Sequence, residues 1–269
     1  MKLPLNLLFA CILVTGTEGC ETKTSGVSGE SEPGKTEEKD EINISPLNMR
    51  PLNEDAILEM NEPGEYQELN AGITSFNFEA TNFRLGTSDT RAGQNDLATY
   101  ASGRHITIVL NNELHITGSN TVFQYFLKPG RYTALAFLTS PDYISIKSPE
   151  AYVLRQFSVG NEKPGDLDLT GPNIFYSRPT GSLSGPETRR VLLDFYLVNC
   201  ILSRKDFHVR VTIRDKIFMI YEWKPYVIRN LPFGENTVKL ELLDKNGKPV
   251  NSPFPSATGK VLLYEREPV

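Results

Sequence analysis

A chain of 269 residues, 39% of them hydrophobic, is long enough for one large domain or two ordinary ones and can fill a core without metal or disulfide staples. The net charge of −5 is concentrated: residues 21–41 hold seven acids against three lysines, and the remainder is close to neutral, which argues against nucleic acid as a partner. The cysteines, Cys11, Cys20 and Cys200, stand in unrelated contexts and define no disulfide framework.

From the N-terminus, Lys2 precedes an apolar run from Leu3 to Val14, and the chain turns polar at Thr15-Gly16-Thr17-Glu18-Gly19 before Cys20. That is the layout of an export signal, and residues 1–19 are read as a signal peptide. The apolar run is about a dozen residues, short of the roughly 20 that a membrane-spanning helix needs. Cys20 after the small Gly19 resembles the cleavage site of bacterial lipoproteins, where the cysteine becomes the lipidated first residue. Residues 20–50 are then expected to be a flexible acidic tether. Between Glu21 and Glu41 Val27 is the single aliphatic residue and no aromatic occurs, so the segment cannot bury enough surface to order itself. The expected location is the bacterial cell envelope, as an outer-membrane lipoprotein facing the periplasm or the exterior, held to the membrane by its lipid alone.

From residue 55 onward, short apolar runs alternate with Gly, Pro and Asn and no amphipathic helix pattern occurs, which predicts an all-β chain. The runs occur twice. Phe76-Asn77-Phe78-Glu79-Ala80-Thr81-Asn82 can be laid on Leu193-Asp194-Phe195-Tyr196-Leu197-Val198-Asn199 at an offset of 117, with the asparagine in register. His105–Leu110 matches His208–Ile213 at an offset of 103, each alternating as a half-buried strand should. The fall from 117 to 103 is a 14-residue excess in the first copy, placed in the stretch Gly86 to Arg104; the second copy keeps a shorter connection at Ser203–Phe207.

Leu127-Lys128-Pro129-Gly130-Arg131-Tyr132 answers Leu231-Pro232-Phe233-Gly234-Glu235-Asn236, and each reads as a corner whose glycine takes a positive φ before the next strand. The first strands are expected at Ile57–Met60 and Ile174–Ser177, and Asp244-Lys245-Asn246-Gly247 signals a hairpin before the last strand. About seven strands in each copy predict two tandem immunoglobulin-like β-sandwiches, residues 51–160 and 173–269, joined by a linker at 161–172.

The runs Leu135–Leu138, Phe175–Pro179, Leu192–Asn199 and Glu222–Ile228 are similar to a group of two-repeat immunoglobulin-like envelope proteins of Bacteroidota, sometimes labelled "phosphopeptide-binding". The resemblance covers about residues 55–264 and implies paired sandwiches at the envelope, with no site residue to carry over. Where that group has His-x-His at the third strand of the first copy, this chain has His105-Ile106-Thr107, which weakens a metal reading. A fainter resemblance, in layout alone, is to fimbrial anchor and subunit lipoproteins of the same bacteria.

No catalytic or metal constellation is read from the residues. A metal site would need His105, His115 and His208 together, yet His105 and His208 occupy equivalent places in separate copies and are better explained as rim residues. Gly181-Ser182-Leu183-Ser184-Gly185 puts Leu183 where a nucleophile elbow needs serine, and reads as a loop. No cofactor is expected, and the chain is read as a non-enzyme. The candidate binding loop is the insertion, with Asp89, Arg91, Asn95, Asp96, Tyr100 and Arg104, since functional groups concentrate on loops carried by a rigid sandwich. Trp223 is expected in core or inter-repeat packing, and Cys200 as a small buried side chain. The leading expectation is a binding or adhesion lipoprotein recognising a protein, peptide or glycan. The alternatives are a structural or anchor subunit of a surface fibre and an accessory subunit of an envelope complex.

Overall fold

In a computed structural model, residues 41–49, 55–88, 97 and 103–266 are described. The expected signal peptide and Cys20 lie outside them. The first strand, β1 (Asn43–Pro46), precedes both sandwiches in the chain. The first sandwich is built from β2 (Ile57–Glu62), β3 (Gln67–Leu69), β4 (Gly72–Thr81), β5 (His105–Leu110), β6 (Leu114–Gly118), β7 (Val122–Leu127), β8 (Gly130–Thr139) and β9 (Tyr152–Val159). The second uses β10 (Asn173–Arg178), β11 (Gly181–Ser184), β12 (Arg190–Val198), β13 (His208–Ile213), β14 (Lys216–Ile220), β15 (Tyr226–Arg229), β16 (Gly234–Leu243) and β17 (Ser256–Tyr264). A single 3₁₀ turn, Pro186–Arg189, is the only helical element among the described residues.

The sheet orders are β2-β4-β7 with β3-β9-β8-β5-β6, and β1-β15-β12-β10 with β11-β17-β16-β13-β14. Strand for strand, the second set repeats the first, apart from the added β1. This is a tandem pair of immunoglobulin-like sandwiches, all-β as expected. Each sandwich encloses its own apolar core, one around Phe76, Ile108 and Phe157 and the other around Tyr176, Phe195 and Leu240.

Each copy has eight strands where about seven were expected. The extra ones are β3 and β11, short segments that pair in parallel with β9 and β17. The Gly181–Gly185 stretch read as a loop therefore contains an edge strand. Its side chains lack alternation because parallel backbone pairing to Val261–Tyr264, rather than face burial, holds it. In both copies the chain crosses between sheets at a cis X-Pro bond, Glu62–Pro63 and Arg178–Pro179.

The repeat equivalences reach the backbone. Asn82 and Asn199 both end their strand in the left-handed region, at φ 58° and 56°, a conformation asparagine tolerates better than most residues. His105 and His208 each donate through Nδ1 to the carbonyl two residues earlier, Gly103 at 2.9 Å and Asp206 at 3.0 Å. At the corner, Tyr132 donates its hydroxyl to the Lys128 carbonyl at 2.7 Å, and Asn236 donates Nδ2 to the Pro232 carbonyl at 2.7 Å. Gly234 takes the expected positive φ, 92°, whereas Gly130 opens β8 without one. The Asp244 carboxylate accepts from the Asn246 and Lys248 amides at 2.8 and 2.9 Å, shaping the predicted turn. The chain then bridges at Pro249 and starts its last strand at Ser256, later than a tight hairpin implies.

Gly259 on β17 shows how closely the sheets of the second sandwich approach. A Cβ there would lie 1.9 Å from the ring of Tyr176, which is fully buried and donates its hydroxyl to Pro179. Gly259→Ala is expected to cost about 3 kcal/mol by overpacking, read as a lower urea midpoint at unchanged m. An alanine variant as stable as the parent would mean the Tyr176 ring is free to move.

Two expectations are corrected by position. The expected tether extends through residue 50, yet Asn43–Pro46 pair antiparallel with β15. Ile42 and Ile44 lie against the second core, and the Leu47 amide donates to the Pro225 carbonyl at 2.9 Å. Two aliphatics spaced two apart suffice for this strand because the open flank of a sandwich waits for them. The strand β5, expected to be half-buried, is buried on both faces: Ile106, Ile108 and Leu110 fill the first core, while His105, Thr107 and Val109 are covered from outside.

Candidate functional site

The cover on the outer face of β5 comes from the second sandwich. Val109, Leu135 and Phe137 share a core cluster with Phe175, Tyr196 and Val198, and Phe137 stacks on Tyr196 at 4.9 Å between centroids. Side chains of the first copy also bind the edge of β10. Asn112 donates to the Ile174 carbonyl at 2.8 Å and accepts from the Tyr176 amide at 2.9 Å, and His115 donates through Nε2 to the Tyr176 carbonyl at 2.8 Å. The two copies are joined as a packed junction. Trp223 belongs to it: its indole donates to the Phe195 carbonyl at 3.0 Å and meets Tyr196 edge-on at 5.0 Å.

Inside this junction lies an ion pair. Lys147 Nζ stands 2.8 Å from Asp194 Oδ1, with side chains 15% and 0% exposed. The same ammonium donates to Ser145 Oγ at 2.8 Å and the Phe195 carbonyl at 3.1 Å, and lies 5.1 Å from the centre of the Trp223 ring. Asp194 Oδ2 accepts from the Ser145 amide at 3.2 Å. Burial lowers the Lys147 pKa, while the charge and hydrogen bond of Asp194 oppose the shift. Nearby, Tyr143 meets the His105 ring edge-on at 4.9 Å and carries the Arg178 guanidinium 4.3 Å over its face. Burial holds His105 down to about 4, against the raising effect of its bond to Gly103, and Arg178 adds to the lowering. These groups are spent on joining the copies.

His105 and His115 both feel the Arg178 charge at the junction, whereas His208 sits beside Tyr221 in the second copy, with 5.7 Å between ring centroids. Among the described residues no group of three or more His, Cys, Asp or Glu could hold a metal ion. Cys200 follows β12 as a half-buried side chain against the second core, and burial first, then Asp206, pushes its thiol up to about 12.

Of the candidate loop, Asp89, Arg91, Asn95, Asp96 and Tyr100 lie outside the described residues. Arg104 is at its base, where its carbonyl accepts from the Gly86 amide at 2.8 Å, its amide donates to Thr87 at 2.9 Å, and its guanidinium lies 5.2 Å over Phe83. Leu97 clusters with Leu47, Ile144, Leu192 and Val227, so this residue of the insertion reaches the outer face of β12 and β15. The polar residues around it in sequence give no sign of that apolar contact.

A concave surface lies on the second sandwich, between β1 and β14. This groove of about 560 Å³ is lined by Ile44 and Pro46 on one side, Ile217, Met219 and Tyr221 on the other, and Glu222 and Arg204 toward one end. Ile217 and Met219 are exposed, and Arg204 stacks 4.5 Å over Tyr221. Apolar walls, a face of tyrosine and one charge of each sign are suited to holding an extended polar ligand with apolar faces. The sequence offered no signal for it, since one wall comes from the segment read as tether.

Sheet order and strand equivalence define the class: a tandem immunoglobulin-like β-sandwich protein. No protein-family model and no curated protein matches the chain. Among solved structures it is similar to the fibronectin(III)-like modules of CbhA from Clostridium thermocellum, at 10% identity over 78% of this chain and 94% of that one, with a TM-score of 0.27. It is also similar to the two tandem V-type regions of VCBP3, a v-region-containing chitin binding protein, at 8% identity, 77% and 98% coverage and a TM-score of 0.21. A third is SGBP-B of the Bacteroides ovatus mixed-linkage glucan utilization locus, in complex with a heptasaccharide, at 12% identity and a TM-score of 0.22; the match covers 82% of this chain and 47% of that one.

Proposed function

We propose that this protein is a non-catalytic binding module of the bacterial cell envelope, held by lipid on Cys20, which recognises a protein, peptide or glycan in the groove between β1 and β14. The observation that carries the reading is the groove itself, with Ile217 and Met219 exposed beside Tyr221, Arg204 and Glu222. The insertion residues Asp89, Arg91, Asn95, Asp96 and Tyr100 remain a second set of candidates for the same ligand, on the chemistry of their side chains.

The test is cross-linking and capture of the anchored chain from its native envelope, comparing the parent with Ile217→Glu and with Tyr100→Ala. A species captured by the parent and lost with Ile217→Glu supports the groove; loss with Tyr100→Ala alone moves recognition to the insertion. Species unchanged in both variants sink the reading. Cys20→Ser is expected to move the protein to the soluble fraction, and continued membrane retention would overturn the lipid anchor.

A structural subunit of a surface fibre is the second reading, favoured by β1. A strand supplied from the chain ahead of both sandwiches, lying at a sheet edge, is of the kind that copies can exchange. A chain that stays monomeric at high concentration counts against it.

A further inference from the structure

The two copies differ at one edge. In the second sandwich β15 is covered by β1, and its inward residue Ile228 is fully buried. In the first sandwich the equivalent strand β7 is the last in its sheet among the described residues, with β4 on one side only. The residue in the place of Ile228 is Tyr125, since Thr74 opposite Tyr125 matches Val191 opposite Ile228. Tyr125 is 37% exposed, and Val122, Phe126 and the cross-strand partner Ile73 stand at 54%, 65% and 69%.

The backbone of β7 is also oriented for a partner. The Phe78 amide donates to the Thr121 carbonyl, so residues 121, 123, 125 and 127 are the ones that bond β4, by the alternation of an antiparallel ladder. Val122, Gln124 and Phe126 therefore turn their amides and carbonyls to the open edge. On β15 the corresponding residues, 225, 227 and 229, face β1, as the bond from Leu47 to Pro225 fixes.

The geometry points to β7 as a strand acceptor that takes an extended segment of another polypeptide, antiparallel, in the way β15 holds β1. The β1 register carried over to β7 specifies the occupant. Ile44 lies opposite Ile228, and an aliphatic in its place would cover Tyr125; a second aliphatic two residues earlier, as Ile42 is, would lie over Leu127. The acid before them in the arm, Glu41, pairs with Lys216 on β14, and the first copy has Leu114 in that place, so no charge is carried over. The partner segment is thus one with aliphatics at alternate positions, matched to the exposed flank around Tyr125.

The probe is a labelled synthetic peptide with the sequence of Asp40–Asn48, titrated against the full chain with hydrogen exchange as a second readout. Saturable one-to-one binding with added protection of the Val122, Gln124 and Phe126 amides is expected. Gln124→Pro removes the central donor from the open edge without touching the β4 ladder, and should weaken binding about tenfold or more at unchanged thermal midpoint. Tyr125→Lys, a change at a 37% exposed position under the aliphatic, should weaken it as well and serves if the proline variant misfolds. Absence of binding, or binding indifferent to both variants, overturns the proposal. So does loss of protection at the Asn43, Ser45 and Leu47 amides, which would mean that the peptide displaces β1, or a dimer of the chain that already occupies β7, which would make a second copy the partner.

Discussion

Asp194→Ala is expected to destabilise the protein by about 3–5 kcal/mol, the largest effect of any single polar substitution in the junction. Asp194 is fully buried, and the Lys147 ammonium beside it is held by Ser145, the Phe195 carbonyl and the ring faces of Trp223, Tyr196 and Phe195. Neutral dipoles and rings soften the loss of the carboxylate but do not replace it, and the alanine also leaves the Ser145 amide without its acceptor. Lys147→Met in the parent removes the opposite partner and should also be costly, because the buried carboxylate then loses its ion pair and keeps the Ser145 amide as a donor. The pair Lys147→Met with Asp194→Leu should recover most of the loss, since desolvation of two charges roughly cancels their attraction. Urea unfolding of the three variants tests the cycle. A single-variant loss below about 1 kcal/mol would show that water reaches the pair.

Stability is expected to fall on acidification between about pH 6.5 and 4, and His105 is the reason. Its folded pKa of about 4 lies below the unfolded value of 6.5. Above that window both states are neutral there and the residue adds no pH dependence. Within it the unfolded chain takes up a proton that the folded chain refuses, so the unfolded state gains. Below about 4 both are protonated and the slope ends. The full window corresponds to about 3 kcal/mol. His115, lowered mainly by burial, acts in the same direction. His105→Asn should flatten the profile measured by urea midpoints between pH 7.5 and 4.5; a profile as steep as the parent's would assign the acid loss to carboxylates instead. Tyr143 and Arg178 stand against His105 at the junction, so its protonation puts a second cation beside the Arg178 guanidinium.

Much of the architecture was legible along the chain. Period-two alternation marked strands such as His208–Ile213, whose Val209, Val211 and Ile213 are fully buried, and the paired asparagines and corner motifs marked the duplication. What escaped was structure without a side-chain pattern. The parallel strands β3 and β11 are held by backbone pairing, and β1 carries too few apolar residues to stand out from an acidic segment. The candidate site was less legible still, because the groove joins Ile44 and Pro46 to Met219 and Tyr221, far apart in the chain.

Local chemistry alone therefore determined that this protein is all-β and duplicated, because strand periodicity and turn residues act over a few positions and repeat whenever the unit repeats. Tertiary structure alone decided how the copies differ. The outer faces of β5 and β12 are buried because the copies pack on each other, Lys147 and Asp194 meet because that packing brings together residues remote in sequence, and among the described residues β15 has a neighbour on the edge where β7 has none, because the arm lies on β15. Such contacts depend on which surfaces remain uncovered once each sandwich has closed, and no window of sequence carries that information.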